Sequence, residues 1–398
     1  MGAHPLYNIL MYSHDTYGLG HIRRTMAIAS QLRSLSTNVL ILTGSPIAGR
    51  FSLPENVDFV RIPGMIKKTN DEYHSLSIRI NPRHAVNIRK SIISATARSF
   101  QPDLFIVDKE PLGLKKEVLP VLRWFKKHHP RTRTILGLRD IMDDSRTVRR
   151  DWHKKNIYRY LDELYSEIWV YGRQDIYDAA AEYRIPEGVR PKMFFTGYLP
   201  RPVANSNSRR KTRRKFGVRD GERMIVVTAG GGGDGFSMMQ SYLDMHDAYP
   251  LPDIRSVLIT GPFMPKSQRQ RLARRAGRHR IEVNPFYPHM EQMFKAADLV
   301  VSMGGYNTIC EILSQGTPSL IIPRETPRLE QLLRARAMKK QQLVDCLPWH
   351  ELTTSELHGK LTAMLADLET YRRAIEGFRL DGIDFIKQRL DRFKEDRA

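Results

Sequence analysis

Short apolar runs of strand length recur along this 398-residue chain, each followed by a helical stretch, and the alternation starts twice. In the first half YNILMYS, NVLILTG, DLFIVDK, RTILGLRD and EIWVYG read as buried strands. HIRRTMAIASQLRSL and LKKEVLPVLRWFKKHH read as helices between them, with Met26, Ile28, Ala29 and Leu32 as a core stripe. After FFTGYLP the polar, basic stretch RPVANSNSRRKTRRK reads as a linker or an exposed start of the next unit. Strands MIVVTAG, SVLITGP, IEVNPF, DLVVSM and SLIIP then alternate with five further helical segments. Such alternation specifies α/β architecture with mainly parallel sheets. It predicts two successive doubly wound domains over 1–200 and 201–375, with a ligand at the carboxyl ends of the strands in a cleft between them. Residues 376–398 read as a C-terminal helix that packs back on the first domain.

Charge separates the partner classes less well. With 64 Lys+Arg against 43 Asp+Glu, the formal net charge is +21, a field that draws polyanions. Nucleic acid, an anionic membrane surface and an anionic glycan all satisfy it. The runs RRKTRRK and RQRLARRAGRHR lack interleaved aromatics and any RNA-binding motif, so no specific nucleic-acid partner is expected. Two cysteines, Cys310 and Cys346, support neither a disulfide framework nor a cysteine zinc site. No apolar run reaches the ~20 residues of a membrane-spanning helix, and the N-terminus has no signal-peptide pattern. The expected location is cytoplasmic, or peripheral at the inner membrane face if the basic surface meets an anionic leaflet.

Three loops follow strands and carry glycine. HDTYGLGH, residues 14–21, opens a helix; Gly18 and Gly20 permit close backbone approach, and the helix start favours an anion. Its spacing is not the dinucleotide fingerprint. His21 is a candidate general base, with His14 and Asp15 as competitors. TAGGGGDGF, residues 228–236, offers unobstructed amides to a phosphate or sugar. In ADLVVSMGGYNTICEILSQGTPSLIIP, residues 297–323, Gly304 and Gly305 open a helix whose first amides suit a pyrophosphate. Asn307, Thr308 and Glu311 follow on that helix, Asn307 and Glu311 on one face. Glu311 stands ~9 Å along the axis from Gly305 at about 1.5 Å per residue, a span from phosphate to ribose hydroxyls.

With these motifs the chain resembles GT-B glycosyltransferases, and more closely glycosyltransferase family 28, over about Met224 to Val344. It is also similar to a group of predicted glycosyltransferases through LRDIMD at 138–143 and VDKEPLG at 107–113. The resemblance implies two Rossmann-like domains, with Glu311 on the ribose and the main chain at Phe286 and Tyr287 on uracil. It further implies Gly231, Gly232 and Gly233 on the phosphates, Glu330-Gln331 on sugar hydroxyls, and Arg201 on the diphosphate. The family has a different pair where Glu330 stands and an amide where Arg334 follows, so the donor sugar need not be N-acetylglucosamine.

These readings predict direct displacement: an acceptor hydroxyl attacks the anomeric carbon and UDP leaves with inversion. Donor-site amides and cations stabilise the departing diphosphate in place of a metal, and no cofactor is expected beyond the UDP-sugar substrate. Asp140 is the candidate to orient the base or the acceptor, or else a helix N-cap. Asp143-Asp144 is the one metal-like pair, remote in sequence from the donor motifs. The acceptor is a glycan or lipid-linked sugar. The rivals are a sugar-nucleotide epimerase or hydrolase of the same fold, and a basic nucleic-acid-binding protein.

Overall fold

The computed structural model describes residues 6–15, 20–50, 52–67 and 73–397. The chain divides into two compact units, residues 1–174, 178–197 and 381–398 in the first and 175–177 and 198–380 in the second.

The first unit runs β1 (Tyr7–Ser13), α1 (Gly20–Leu32), β2 (Thr37–Thr43), β3 (Val57–Arg61), then a hairpin of β4 (Met65–Lys67) and β5 (Tyr73–Ser75). It continues α2 (Pro82–Phe100), β6 (Leu104–Asp108), α3 (Leu119–His128), β7 (Arg133–Arg139), α4 (Ser145–Lys154), α5 (Ile157–Leu164), β8 (Glu167–Tyr171), α6 (Ala179–Glu182) and β9 (Met193–Phe195). Seven strands form a parallel sheet in the order β3-β2-β1-β6-β7-β8-β9. The interior strands β6 and β8 are buried along their whole length, because a sheet covered by helices on both faces has no wet side. On α1 the buried stripe is Ile22, Thr25, Ile28, Ala29 and Leu32; Met26 is only half-buried, since it lies off that 3.6-residue face.

The second unit runs α7 (Ser206–Lys215), β10 (Arg223–Thr228), α8 (Phe236–Ala248), β11 (Ile254–Ile259), α9 (Lys266–Ala276), β12 (Ile281–Asn284), α10 (Met290–Ala296) and β13 (Leu299–Ser302). It continues α11 (Tyr306–Ser314), β14 (Ser319–Ile321), α12 (Glu330–Lys340), β15 (Asp345–Cys346), α13 (Thr354–Ala366) and α14 (Leu368–Glu376). The last helix, α15 (Gly382–Glu395), belongs to the first unit, where Arg389 pairs with Glu167 and Phe393 stacks on Trp169. Six strands form a parallel sheet in the order β12-β11-β10-β13-β14-β15. In both sheets the first strand of the unit has its successor on one side and a later strand on the other. That reversal is the switch point of a doubly wound sheet, where ligands bind at the carboxyl ends. It lies between β1 and β6 in one unit and between β10 and β13 in the other.

Of the two readings of the basic stretch, a linker or an exposed start of the next unit, the structure shows the second: it is helix α7 near the start of the second unit. Asn205 caps it, accepting from the Ser208 amide at 2.8 Å. Arg209 and Arg213, one turn apart, converge on Asp298, whose side chain is 3% exposed. Asp298 also accepts from the Met224 amide at 2.8 Å, so it joins α7 to the starts of β10 and β13. These arginines tie α7 to the amino ends of the two central strands of the second sheet, which removes them from a nucleic-acid surface. In the other basic run Arg275 pairs with Asp244 and Asp247, and Arg280 with Glu222.

Candidate functional site

In the first unit the carboxyl end of β1 delivers Ser13, His14 and Asp15, and the carboxyl end of β6 delivers Asp108. Helix α1 begins at Gly20, so His21 stands in its first turn; Gly18 lies outside the described residues. His21 Nδ1 donates to Asp108 Oδ2 at 2.5 Å. The other carboxylate oxygen accepts from Arg24, one turn along α1, through Nε at 3.0 Å and Nη2 at 2.5 Å. Burial alone would raise the Asp108 pKa, but the Arg24 and His21 charges outweigh it and hold the carboxyl well below its usual range. Burial pulls His21 down to about 4, against the opposing pull of Asp108. An ionised Asp108 must accept, so the His21 proton sits on Nδ1 and Nε2 carries a lone pair. Among the described residues Nε2 has no partner.

The carboxylate bonded to His21 is Asp108, not Asp140, the residue expected to orient the base or the acceptor. Asp140 follows β7, one strand farther from β1, and its Oδ1 accepts from the Ile141 amide at 2.7 Å. Asp144 is the N-cap of α4, accepting from the Thr147 amide, and Asp143 accepts from the Asp144 amide. Among the described residues no group of three metal-ligating side chains occurs.

His14 is buried, its ring edge-on to His21 with centroids 5.6 Å apart. Its Nδ1 meets Tyr12 Oη at 3.3 Å, and that hydroxyl donates to Glu117 at 2.6 Å. Glu117 forms a fully buried pair with Arg89. Burial drives His14 well below the ordinary histidine range, so it is neutral. Asp15 accepts from Thr43 through Oδ2, while among the described residues its buried Oδ1 has no partner within hydrogen-bond geometry, and burial raises its pKa to about 6.

In the second unit the glycine loop after β10 and the turn after β13 face each other across the switch point. Gly232 has φ +88, and a Cβ there would meet the Thr260 carbonyl at 2.1 Å, so this glycine is required by backbone packing on the β11–α9 loop. Gly231 has only an ordinary contact with Phe263. Gly233 and Asp234 form the bend before α8, and Asp234 accepts from Arg324 Nη1 at 2.8 Å. Gly304 has φ +75 with Ile321 against it, whereas Gly305 caps α11 with open space beside it and, lacking a side chain, makes no side-chain cap of its own. Thr308 lies beside Gly230. Asn307 and Glu311 share a face and are both buried.

Arg201 reaches this helix because residues 198–204 lie along α11. Tyr198 stacks on Tyr306, the Arg201 amide donates to Ser314 Oγ at 2.9 Å, and the Ala204 amide donates to Gln315 at 3.0 Å. Arg201 Nη2 then donates to Asn307 Oδ1 at 2.8 Å, and its buried Nε is unpartnered. A guanidinium buried without a carboxylate is costly, several kcal/mol, unless an anion joins it.

The remaining donor candidates are divided. Glu330 pairs with Arg324 at 3.0 Å, and Gln331 Oε1 accepts from the Arg324 amide at 3.1 Å. The pair thus fixes the chain after β14. Arg334, fully buried, donates to the Gly304 carbonyl at 3.1 Å and so braces the glycine turn. Phe286 is 58% exposed in the loop after β12, but Tyr287 packs edge-on against Phe216. β12 is an edge strand of the sheet. Reading missed Asp108, Arg24 and Arg324. The available signal for Asp108 was its place as the last residue of a fully buried strand.

Residues 224–388 match the glycosyltransferase family 28 C-terminal domain. The UDP-N-acetylglucosamine--N-acetylmuramyl-(pentapeptide) pyrophosphoryl-undecaprenol N-acetylglucosamine transferase of Bacillus subtilis is 25% identical over 203 residues, 50% of this chain and 55% of that one. Its counterpart in Alkaliphilus metalliredigens is 24% identical over 180 residues, 45% and 49% of the two chains. The chain thus spans about half the length of the curated relatives it matches. MurG of Acinetobacter baumannii superposes over 98% of this chain and 100% of its own, with TM-score 0.64 and 12% identity. The UDP-GlcNAc 2-epimerase of Neisseria meningitidis superposes over 99% and 100%, with TM-score 0.60 and 13% identity. The chain has the GT-B fold, and residues 224–388 are similar to the C-terminal domains of glycosyltransferase family 28.

Proposed function

We propose that the chain is an inverting glycosyltransferase that moves a sugar from a UDP-sugar to a hydroxyl of a lipid-linked or polysaccharide acceptor without a metal. The observation that carries this reading is the His21–Asp108 pair, in a chain whose other unit matches a family 28 domain. Neutral His21 takes the acceptor proton at Nε2 as the oxygen attacks the anomeric carbon; Asp108 then stabilises the imidazolium. In the second unit the amides at Gly305 and the start of α11, with Arg201, hold the diphosphate, and Glu311 accepts from the ribose hydroxyls. Gly231 and Gly233 offer further amides, the main chain at Phe286 and Tyr287 holds uracil, and Glu330-Gln331 face the sugar. A lipid-linked acceptor is favoured because the curated relatives are named for a pyrophosphoryl-undecaprenol acceptor. No helix among the described residues is long and apolar enough to cross a membrane. The proposed location is the cytoplasmic face, where the net charge of +21 draws the protein to anionic lipid.

The test is UDP release from a panel of UDP-sugars with and without an undecaprenyl-diphosphate-linked sugar, in the presence of EDTA. Acceptor-dependent release, lost in His21→Ala, is expected. Rapid turnover of the UDP-sugar without acceptor would replace this reading with an epimerase or hydrolase. Tight, salt-sensitive RNA binding with no UDP-sugar affinity would replace it with a binding role.

A further inference from the structure

The first unit carries a second concentration of positive charge that the proposed chemistry does not use. Helix α4 presents Arg146, Arg149, Arg150 and His153 at spacings of three and four residues, so all four share one face, while Val148 and Trp152 are buried on the other. Like charges at such spacings destabilise an isolated helix by a few tenths of a kcal/mol per pair. That face borders an open cavity of about 440 Å³ that is also lined by Tyr158, Arg184 and Pro186. Four guanidinium groups thus line one cavity, and no carboxylate lines it. Among the described residues none of the four forms an ion pair. The neighbouring acid, Asp144, accepts instead from the Thr147 amide as the cap of α4.

Two further features show a built cavity. Arg184 follows α6 with φ +50, a left-handed position where glycine is the unstrained choice. The chain carries an arginine there, and that arginine points charge at the cavity. Tyr158 Oη donates to the Tyr183 carbonyl at 2.6 Å, which fixes α5 against the residue preceding Arg184. The cavity lies among elements that follow β7 and β8, on the side of the sheet away from β1, and none of its lining residues touches His21 or Asp108.

We propose that this cavity binds a phosphate- or diphosphate-bearing ligand, distinct from the donor nucleotide, through the guanidinium groups of Arg146, Arg150 and Arg184. Planar forks match the oxygens of a phosphate in pairs, and a dianion relieves the mutual repulsion among the four guanidinium groups. The ligand is a free diphosphate compound or the headgroup of an anionic lipid; the chemistry recognised is the same.

The test titrates inorganic diphosphate into the full-length protein at low ionic strength, with UDP at saturation so that the donor site is occupied. The R146Q/R150Q/R184Q variant is expected to bind about tenfold more weakly or worse, since each charged hydrogen bond contributes on the order of a factor of ten. Arg201→Gln is expected to leave this binding unchanged. The R146K/R150K/R184K variant keeps the charge but loses the forks; binding equal to wild type would reduce the site to a diffuse field and overturn the proposal. Arg184→Gly separates binding from folding: it removes backbone strain, so the thermal midpoint should hold or rise while diphosphate affinity falls. Unchanged affinity in the glutamine variant overturns the assignment. Flotation with phosphatidylglycerol vesicles identifies the source: loss of flotation in the same variant assigns a lipid headgroup, and loss of diphosphate binding alone assigns a soluble ligand. A wild-type protein that binds neither probe refutes the site.

Discussion

His21 Nδ1 and Asp108 Oδ2 lie 2.5 Å apart, one from the first turn of α1 and the other from the last residue of β6. Adjacent strands β1 and β6 make this contact possible although 87 residues separate the two side chains. The pair fixes a pH profile. A base must be neutral to accept a proton, and burial sets the His21 transition at about 4 instead of the usual 6.5. The acid limb of kcat/KM should therefore fall near pH 4 to 5, and a midpoint near 6.5 would remove His21 from the base role. Asp108→Asn takes away the charge that stabilises imidazolium, and kcat should fall by about 10² to 10⁴ with little change in KM for the UDP-sugar.

Asp15 supplies a prediction of opposite sign. Its folded pKa of about 6 exceeds the unfolded 3.8, so the folded state binds more protons between those values. That contribution to stability is complete below pH 4 and is lost as pH rises through 6. At pH 7 the buried carboxylate is a liability, with Oδ1 unpartnered among the described residues. Asp15→Asn should raise the urea midpoint at pH 7 by the equivalent of about 1–3 kcal/mol, and the gain should vanish at pH 4. A gain that persists at pH 4 would point to a cause other than charge. If acceptor turnover falls while stability rises, the carboxylate is retained for function.

The strands themselves were legible because buried parallel strands read as apolar runs, and those of residues 7–13 and 299–302 need no tertiary context. The glycine turns were legible for the same reason: backbone that must come close leaves glycine in the sequence, as at Gly232 against the Thr260 carbonyl. Side chains that meet across strands left less trace. Asp108 and His21 are paired by sheet topology, and no spacing rule reports that. The RRKTRRK run looked solvated because nothing local marks Asp298, 85 residues away from Arg213, as its counter-charge. Short edge elements such as β9 and β15 were missed because two or three residues carry no periodicity.

Asp298 orders a set of stabilities. Its carboxylate accepts from Arg209, Arg213 and the Met224 amide while 3% exposed. Burial would raise its pKa, yet the Met224 amide and Arg213 together with Arg209 pull it below the usual range. Asp298→Ala strands a backbone amide and the arginines, and unfolding free energy should drop by about 3–5 kcal/mol. Arg209, with 39% side-chain exposure, contributes at solvent-screened strength; Arg209→Ala should cost about 1 kcal/mol or less. Equal losses in the two variants would mean that α7 is held by its packing and not by this carboxylate.

Gly304 and Gly305 are adjacent, and substitution at each asks a different question. Gly304 has φ +75, and a Cβ would meet Ile321 Cγ2 at 2.6 Å, so Gly304→Ala should destabilise the second unit by about 1–3 kcal/mol. Gly305 has φ −60 and ψ 143, a region open to any residue, with nothing within 4 Å of an added Cβ. Gly305→Ala should therefore leave the thermal midpoint of the free protein unchanged. If the first amides of α11 receive the diphosphate, the new methyl group stands where phosphate oxygens must approach. UDP should then raise the midpoint of the wild type and of Asp108→Asn alike, but raise that of Gly305→Ala much less. An equal UDP-induced shift in Gly305→Ala would move the diphosphate away from this helix start.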